Sequence, residues 1–395
     1  MALYEKLEYE LELITPAFIG GAFPKERAEL RPASFIGILR WWFRNLALTF
    51  TDDLNEIYNL ESKLFGNTKK AGKVWVRFGD IPKEEYKQFE VPQNVDIGIL
   101  AYLGYGNFRG TKIVKAFLPS RTKVKLTILV PKKYKNLLEN LLFIVSQLGA
   151  LGGRNRRGWG NFYLNSLNGK KESWKSCKVE RAYENFISEL CKFIPRGDSV
   201  QIIRIYEIYY EEQNPLGVLD KIGKDYRGFR ERYDCNRSKV NNHLQRKQEC
   251  DYTQVKKFLQ RKHQHSTVIY NRAWFGLPIR ARYKSLSGKS ATINVFQKNL
   301  QERRERRLAS PVIFRVFRNS DGKFGVLFIV FYHSEFYQKR GKFYKWFLGG
   351  EREVRVTAKG LKPKPVVMNQ SFEKFVCNFL QEIKVSTQPV LTLGG

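Results

Sequence analysis

Histidine and cysteine are scarce in this chain, 4 and 5 among 395 residues. The cysteines, Cys177, Cys191, Cys235, Cys250 and Cys377, are scattered, with no CxxC pair. That argues against a disulfide framework and fits a reducing compartment. Cys235 and Cys250 could be combined with His263 and His265 as zinc ligands, but the spacing lacks the tight pair such sites use. Polar surface positions are the plainer reading, and neither a metal nor another cofactor is expected. No run of 18 apolar residues occurs, which argues against a membrane span. The start, MALYEKLEYELEL, carries acids early and has no signal-peptide core, so a cytoplasmic protein is expected. Acidic residues are outnumbered too: 38 Asp and Glu against 70 Lys and Arg leave a net charge of +32. A field of that sign and size attracts nucleic acid, or less often an anionic membrane.

What the chain does have is a core and an unusual loop. Hydrophobic residues make up 43% and aromatic residues 14%, and the length suits two domains. The loop is GALGGRNRRGWG, Gly149–Gly160. In it Gly149, Gly152, Gly153, Gly158 and Gly160 surround Arg154, Arg156 and Arg157. Glycine permits close backbone approach and positive φ, and arginine offers a fixed, always-charged fork that suits phosphate. The loop is therefore expected to lie against a polyanion; the alternative is a solvated turn. A phosphate-cradling P-loop is excluded, because Trp159 rather than Lys-Ser or Lys-Thr follows Gly158 and the helix precedes the loop. Gly104, Gly106 and Gly110 in GYGNFRG do not fit GxGxxG either.

Periodicity predicts strands at Glu8–Ile14, Lys73–Phe78, Lys123–Val130 and Trp159–Leu164, with helices at Ala33–Leu48 and Tyr134–Leu148. Pro32 and Ser34 are the start signals of the first helix. The order β-α-β-β-α-β is the ferredoxin-like arrangement shared with RNA-recognition domains, here with a long insertion at Gly79–Pro119. Asn165–Cys177 reads as a polar linker, and a second unit is expected to start near Arg196. It offers a strand at Val200–Tyr210, a basic helical insertion at Lys224–Lys262, strands at Val312–Phe317 and Phe324–Tyr332 around a turn at Asn319–Lys323, and a helix at Ser371–Ile383. The tail Lys384–Gly395 reads as extended. The fold class is α+β: two tandem ferredoxin-like domains with insertions, at 1–175 and 196–395. No internal sequence repeat is visible.

The helix Ala33–Leu48 is apolar around most of its circumference and should be buried. Its one polar stripe is Ser34, Gly37, Arg40 and Arg44, at steps of three, three and four, which share a face. Gly37 costs a helix about 1 kcal/mol, so a partner's close approach is one reading, with Arg40 and Arg44 on an RNA backbone. The other is that Gly37 packs on the sheet and the arginines pair with carboxylates such as Glu29. Trp41 and Trp42 are expected in the core. Arg109 and Lys112, with Tyr105 and Phe108, form a basic and aromatic segment that suits single-stranded RNA or is an ordinary folded loop.

ITPAFIGGA, then ELRPASFIGILRWWFR, then GALGGRNRRGWG together resemble the RAMP proteins of CRISPR systems, and more narrowly the first-subunit family of the type III-B Cmr module. FGLPI at Phe275–Ile279 and RRLASP at Arg306–Pro311 resemble that family's second-domain signatures, with Leu308 inserted before Ala-Ser-Pro. The resemblance implies a non-enzymatic RNA-binding subunit that meets a guide crRNA and its target RNA at one end of a complex with other Cmr subunits. It also implies RNA contact at or around Arg31, Ser34, Gly37, Arg40 and Arg44, and at Gly152, Gly153, Arg154, Asn155, Arg156, Arg157 and Trp159. Arg306 and Arg307 belong to a basic cluster that reads equally as RNA contact or charged surface. Rival functions are a metal-independent processing ribonuclease, which needs a general base such as His243, His263 or His265, and a stand-alone RNA chaperone.

Overall fold

In the computed structural model, the structure describes residues 3–79, 91–167, 171–232, 251–262, 265–276, 279–297, 305–306, 310–333, 342–343, 352–368 and 371–395. The first half of the chain runs β1 (Tyr4–Leu13), α1 (Pro32–Ala47), α2 (Leu54–Phe65), β2 (Trp75–Phe78), α3 (Ile97–Leu103), the short hairpin β3 (Phe108–Arg109) and β4 (Lys112–Ile113), β5 (Lys123–Pro131), α4 (Lys135–Leu148) and β6 (Phe162–Asn165). The sheet order is β2-β5-β1-β6, all pairs antiparallel. This is the ferredoxin-like order expected from the sequence.

Alternation along β1 sends Leu7, Leu11 and Leu13 into the core. Glu8 and Glu10 take the other face, paired to Lys125 at 2.8 Å and Lys123 at 2.7 Å. Pairs this exposed add little stability. Helix α1 buries Phe35, Leu39, Trp42, Phe43 and Leu46. Phe35 meets Phe78 and Phe162 at ring distances of 5.8 and 6.0 Å, which seats the helix on the sheet. The helix starts at Pro32, which occupies the first turn where its missing N–H costs nothing. Arg31 sits at the cap position and Ser34 lies inside the helix, so Ser34 is not the cap.

Helix α2 was not expected. Asp53 caps it, accepting from the Asn55 and Glu56 amides at 3.0 and 3.1 Å. Ile57, Leu60 and Leu64 then form its buried stripe. The signal was present as a cap residue followed by apolar residues at helical spacing.

The rest of the chain runs α5 (Ser176–Leu190), β7 (Gln201–Glu212), α6 (Pro215–Arg232), α7 (Asp251–Leu259), β8 (Val268–Ile269), β9 (Ile279–Tyr283), β10 (Lys289–Gln297), β11 (Glu305–Arg306), β12 (Val312–Arg318), β13 (Phe324–His333), β14 (Lys342–Phe343), β15 (Arg352–Thr357), β16 (Lys364–Val367), α8 (Phe372–Glu382) and β17 (Leu391–Leu393). A second four-stranded sheet has the order β12-β13-β7-β17. Counted by sequence this is 2-3-1-4, the order of the first sheet. The repeat that the sequence hides is thus present in the topology. The tail contributes β17, whose Leu391 pairs with Ile205 of β7. A third sheet of short strands, β8 to β11 with β14 to β16, is built from the segments inserted into the second half.

Backbone contacts gather residues 1–223, 313–331 and 388–395 into one compact unit, and 224–312 with 332–387 into another. The first unit therefore holds strands from both ferredoxin-like sheets. The second has its own core, in which Phe275, Phe375 and Phe379 meet at ring distances of 4.9 and 5.6 Å. There the buried Asp251 carboxylate accepts from the Asn271 and Arg272 amides, both at 2.8 Å. Among the described residues no helix is long and apolar enough to cross a membrane.

In the first unit a buried ion pair joins strands distant in sequence. Arg318 of β12 donates to Glu12 of β1 at 2.8 Å, and Asn165 of β6 donates to the other Glu12 oxygen at 2.7 Å. Burial, the largest single influence, pushes the Glu12 carboxyl up, but the Arg318 and Asn165 hydrogen bonds and the Arg318 and Lys171 charges outweigh it. The net effect holds Glu12 below its ordinary value of 4.5. A carboxyl lowered in the folded state stabilises the fold above its unfolded pKa and loses that contribution as pH falls through the folded value. The melting temperature of the wild-type chain should therefore fall more steeply below about pH 4.5 than that of Glu12→Gln. Parallel curves from scanning calorimetry would remove Glu12 from the acid response.

Candidate nucleic-acid interface

The polar stripe of α1 faces solvent. Arg31 and Gly37 are exposed, and Ser34, Arg40 and Arg44 are half-buried. A Cβ placed on Gly37 would meet nothing within 4 Å. Gly37 therefore does not pack on the sheet, and nothing within the described fold requires a glycine in the middle of this helix. The carboxylate that holds the arginines is Glu61 of α2, not Glu29. Arg40 Nε donates to Glu61 at 2.6 Å and its Nη1 to the Gly66 carbonyl at 3.0 Å. Arg44 reaches both Glu61 oxygens, at 2.5 and 2.9 Å. The Glu61 side chain is 2% exposed, whereas those of Arg40 and Arg44 keep 25% and 39%. One buried acid thus orients two guanidinium groups whose outer edges reach solvent.

The Gly149–Gly160 loop is neither a free turn nor an open cradle; it is folded onto its own backbone. Leu151 N donates to the Gly160 carbonyl at 2.7 Å and Gly153 N to the Phe18 carbonyl at 2.8 Å. Gly160 has φ +70°, and a Cβ there would overlap the Leu151 carbonyl oxygen. Gly152 has φ +78°, and a Cβ there would lie 2.4 Å from the Phe18 carbonyl oxygen. Gly152 and Gly160 thus serve the chain's own close approach, a use of glycine that the sequence does not distinguish from room for a ligand. Trp159 is fully buried, 5.1 Å edge-on to Phe18 and 5.9 Å from Phe108, so it shapes the loop from beneath.

The arginines of the loop diverge. Arg154, exposed, donates from Nε to the Tyr105 carbonyl at 2.5 Å. Arg157 lies 5.1 Å over the Phe314 ring. Arg156 turns toward α1 and stacks 4.9 Å over Trp41. Burial, and then the Arg157 charge, push its guanidinium down to about 10, so it remains charged at neutral pH.

Gly37, Ile38, Trp41, Asn155 and Arg156 line a cavity of about 210 Å³ between α1 and the loop. Folding so brings together Gly37, Asn155 and Arg156, which the sequence holds far apart. Trp42 is buried as expected, while Trp41 is only half-buried and forms part of this wall. Arg109 and Lys112 face each other across the β3–β4 hairpin, both exposed.

The comparisons with known proteins agree with the ferredoxin-like fold. The RAMP superfamily model matches residues 10–163. The CRISPR system Cmr subunit Cmr1-2 of Pyrococcus furiosus is 30% identical over 184 residues, covering 42% of this chain and 97% of that protein. The chain belongs to the RAMP superfamily, among its Cmr1 subunits. Cmr1-1 of the same organism is 27% identical over 160 residues, 40% of this chain and 47% of that protein, so the match spans about half of that relative. The crystal structure of Cmr1 from Pyrococcus furiosus in its apo form superposes with a TM-score of 0.51 at 16% identity, covering 99% of this chain and 98% of that one. It shares the fold. The matched RAMP segment contains α1 but ends inside β6, so β12 lies beyond it.

Several expectations fall elsewhere. Arg306 lies in β11 of the second unit, and Arg307 is outside the described residues. Cys235, Cys250, His243 and His263 are also outside them. Sequence reasoning missed Glu61 and Arg315. Arg315 is fully buried in β12 and donates to the carbonyls of Ser146, Gln147 and Phe162 at 2.6, 2.7 and 2.7 Å. A lone arginine within the apolar strand VIFRVF was its signal.

Proposed function

We propose that this Cmr1-type chain is a non-catalytic RNA-binding subunit of a type III-B CRISPR effector complex, meeting the guide crRNA, the target RNA or both at one end of the assembly, alongside other Cmr subunits. The observation that carries the reading is Gly37: a helix-weakening residue, exposed, with empty space around it, in line with Arg40 and Arg44 and beside the Arg156 cavity. A glycine there without an internal reason suits a polymer backbone that approaches the helix closely. Burial and Arg157 make the Arg156 charge costly, and a phosphate in the cavity would relieve that cost. Arg156 and Asn155 supply hydrogen-bond donors, and the lining residues include no general base. The relatives' names, Cmr subunits of a CRISPR system, support the assembly part of the reading.

Phosphate contacts supply affinity without reading sequence. If six phosphates of single-stranded RNA are neutralised, log Kd against log salt should have a slope of about 4 in magnitude, much the same for unrelated sequences. Fluorescence anisotropy with labelled RNAs checks this, and gel analysis of the same mixtures should show intact RNA. A shallow slope, or cleavage in the absence of partner subunits, would overturn the reading.

A further inference from the structure

The insertion between β2 and β5 carries an aromatic residue that the interface above does not use. Tyr105 is 73% exposed, a large ring left in water. Arg154 holds the residue at its backbone and lies over its ring: the Tyr105 carbonyl accepts from Arg154 Nε at 2.5 Å, and the guanidinium lies 5.4 Å from the ring centre. Arg154 makes this contact from φ +60°, a conformation that costs a non-glycine residue energy and persists only where the surroundings impose it. The turn itself is tight: Asn107 N donates to the Gly104 carbonyl at 2.9 Å, and Gly106 has φ +90°. Phe108, three residues on, anchors it by packing on Phe18 at 5.7 Å and Trp159 at 5.9 Å. One aromatic of the segment is thus an anchor, and the other is held outward.

We infer that Tyr105 is a stacking platform for one unpaired nucleobase of single-stranded RNA, with Arg154 backing the ring. The inference rests on the RNA-binding reading and adds a base contact to it. A base on the open side of the ring would complete a stack of guanidinium, phenol and base, which any of the four bases can join because each has a π-face. Arg109 and Lys112, exposed on the hairpin that begins three residues later, are the cations available to the flanking phosphates.

The test uses the full chain and a fluorescein-labelled, mixed-sequence single-stranded RNA, with Kd from anisotropy across a salt series. Tyr105→Ala and Tyr105→Leu should each raise Kd about 5- to 150-fold, the range that loss of one base stack produces. The salt slope should not change, because no phosphate contact is lost. Tyr105→Phe and Tyr105→Trp should stay within about twofold of wild type, since ring and not hydroxyl is required. The Leu and Trp pair keeps the test decisive even if Tyr105→Ala lowers Tm. Unchanged affinity in Tyr105→Leu overturns the inference while leaving the RNA-binding reading intact, as does an equal loss in Tyr105→Phe. Failure of the wild-type chain to bind RNA overturns both.

Discussion

Replacing Arg315 by alanine should destabilise the first unit by about 4 kcal/mol or more, among the largest effects expected of any single substitution. The side chain is fully buried, and burial pushes its guanidinium down to about 10, so it stays charged at neutral pH. What repays that burial is geometry. Ser146 and Gln147 lie in the last turn of α4, where carbonyls lack the partner that the next turn would supply. The guanidinium donates to both, and to Phe162 of β6. It also sits at the negative end of the helix dipole and stacks 5.2 Å over Tyr163. Alanine leaves three buried carbonyls unsatisfied and opens a cavity. Methionine restores most of the volume and none of the donors, and lysine cannot reproduce the planar fork. Urea unfolding midpoints should fall in the order Arg, Lys, Met, Ala. A methionine variant as stable as wild type would mean that the volume, and not the hydrogen bonds, is what the site requires.

The second large effect concerns binding and has opposite signs in two assays. Gly37→Ala should stabilise the chain by about 1 kcal/mol, because α1 gains helix propensity and the new Cβ meets nothing. Gly37→Glu should also stabilise, by about 0.5 kcal/mol, since glutamate is a better helix former than glycine and its side chain enters open space one turn before Arg40. Yet if an RNA backbone approaches at this turn, both variants should bind RNA more weakly. The glutamate should cost at least tenfold, because it adds like-charge repulsion with phosphate to the steric loss. Mutating Arg40 or Arg44 instead would strand the buried Glu61 carboxylate and confound binding with folding. Thermal melting and anisotropy on the same preparations separate the two. Undiminished affinity in Gly37→Glu would move the RNA elsewhere on the surface.

The order of elements in the first ferredoxin-like sheet was legible because it is local; in the second, β7, β12 and β13 were legible, as was α8, while β17 read only as an extended tail. Alternation in EYELELI and KVKLTILV, and helical spacing in Ala33–Leu48, each report one buried face. The β12–β13 pair was legible for the same reason, two apolar runs around Asn319–Lys323. The charge of +32 pointed to a polyanion irrespective of fold. The stripe Ser34, Gly37, Arg40 and Arg44 followed from helix geometry alone, as did the expectation that Trp42 is buried.

Only the tertiary structure decided what those residues meet. Whether Gly37 faced the sheet or solvent depended on how α1 rolls on the sheet, which is set by Phe35 meeting Phe78 and Phe162. The acid beneath Arg40 and Arg44 lies 21 and 17 residues away on another helix. The loop glycines looked like room for a ligand because a positive φ carries no label saying which backbone requires it; here the neighbours are Phe18 and Leu151. Arg156 and Gly37 share a cavity, and Arg315 closes the end of α4 from a strand 168 residues on. Periodicity records which face of an element is buried. Pairing between distant elements leaves no such periodic trace, because any apolar stripe can in principle cover any other, and the choice falls to packing and to the few buried polar groups that must find partners.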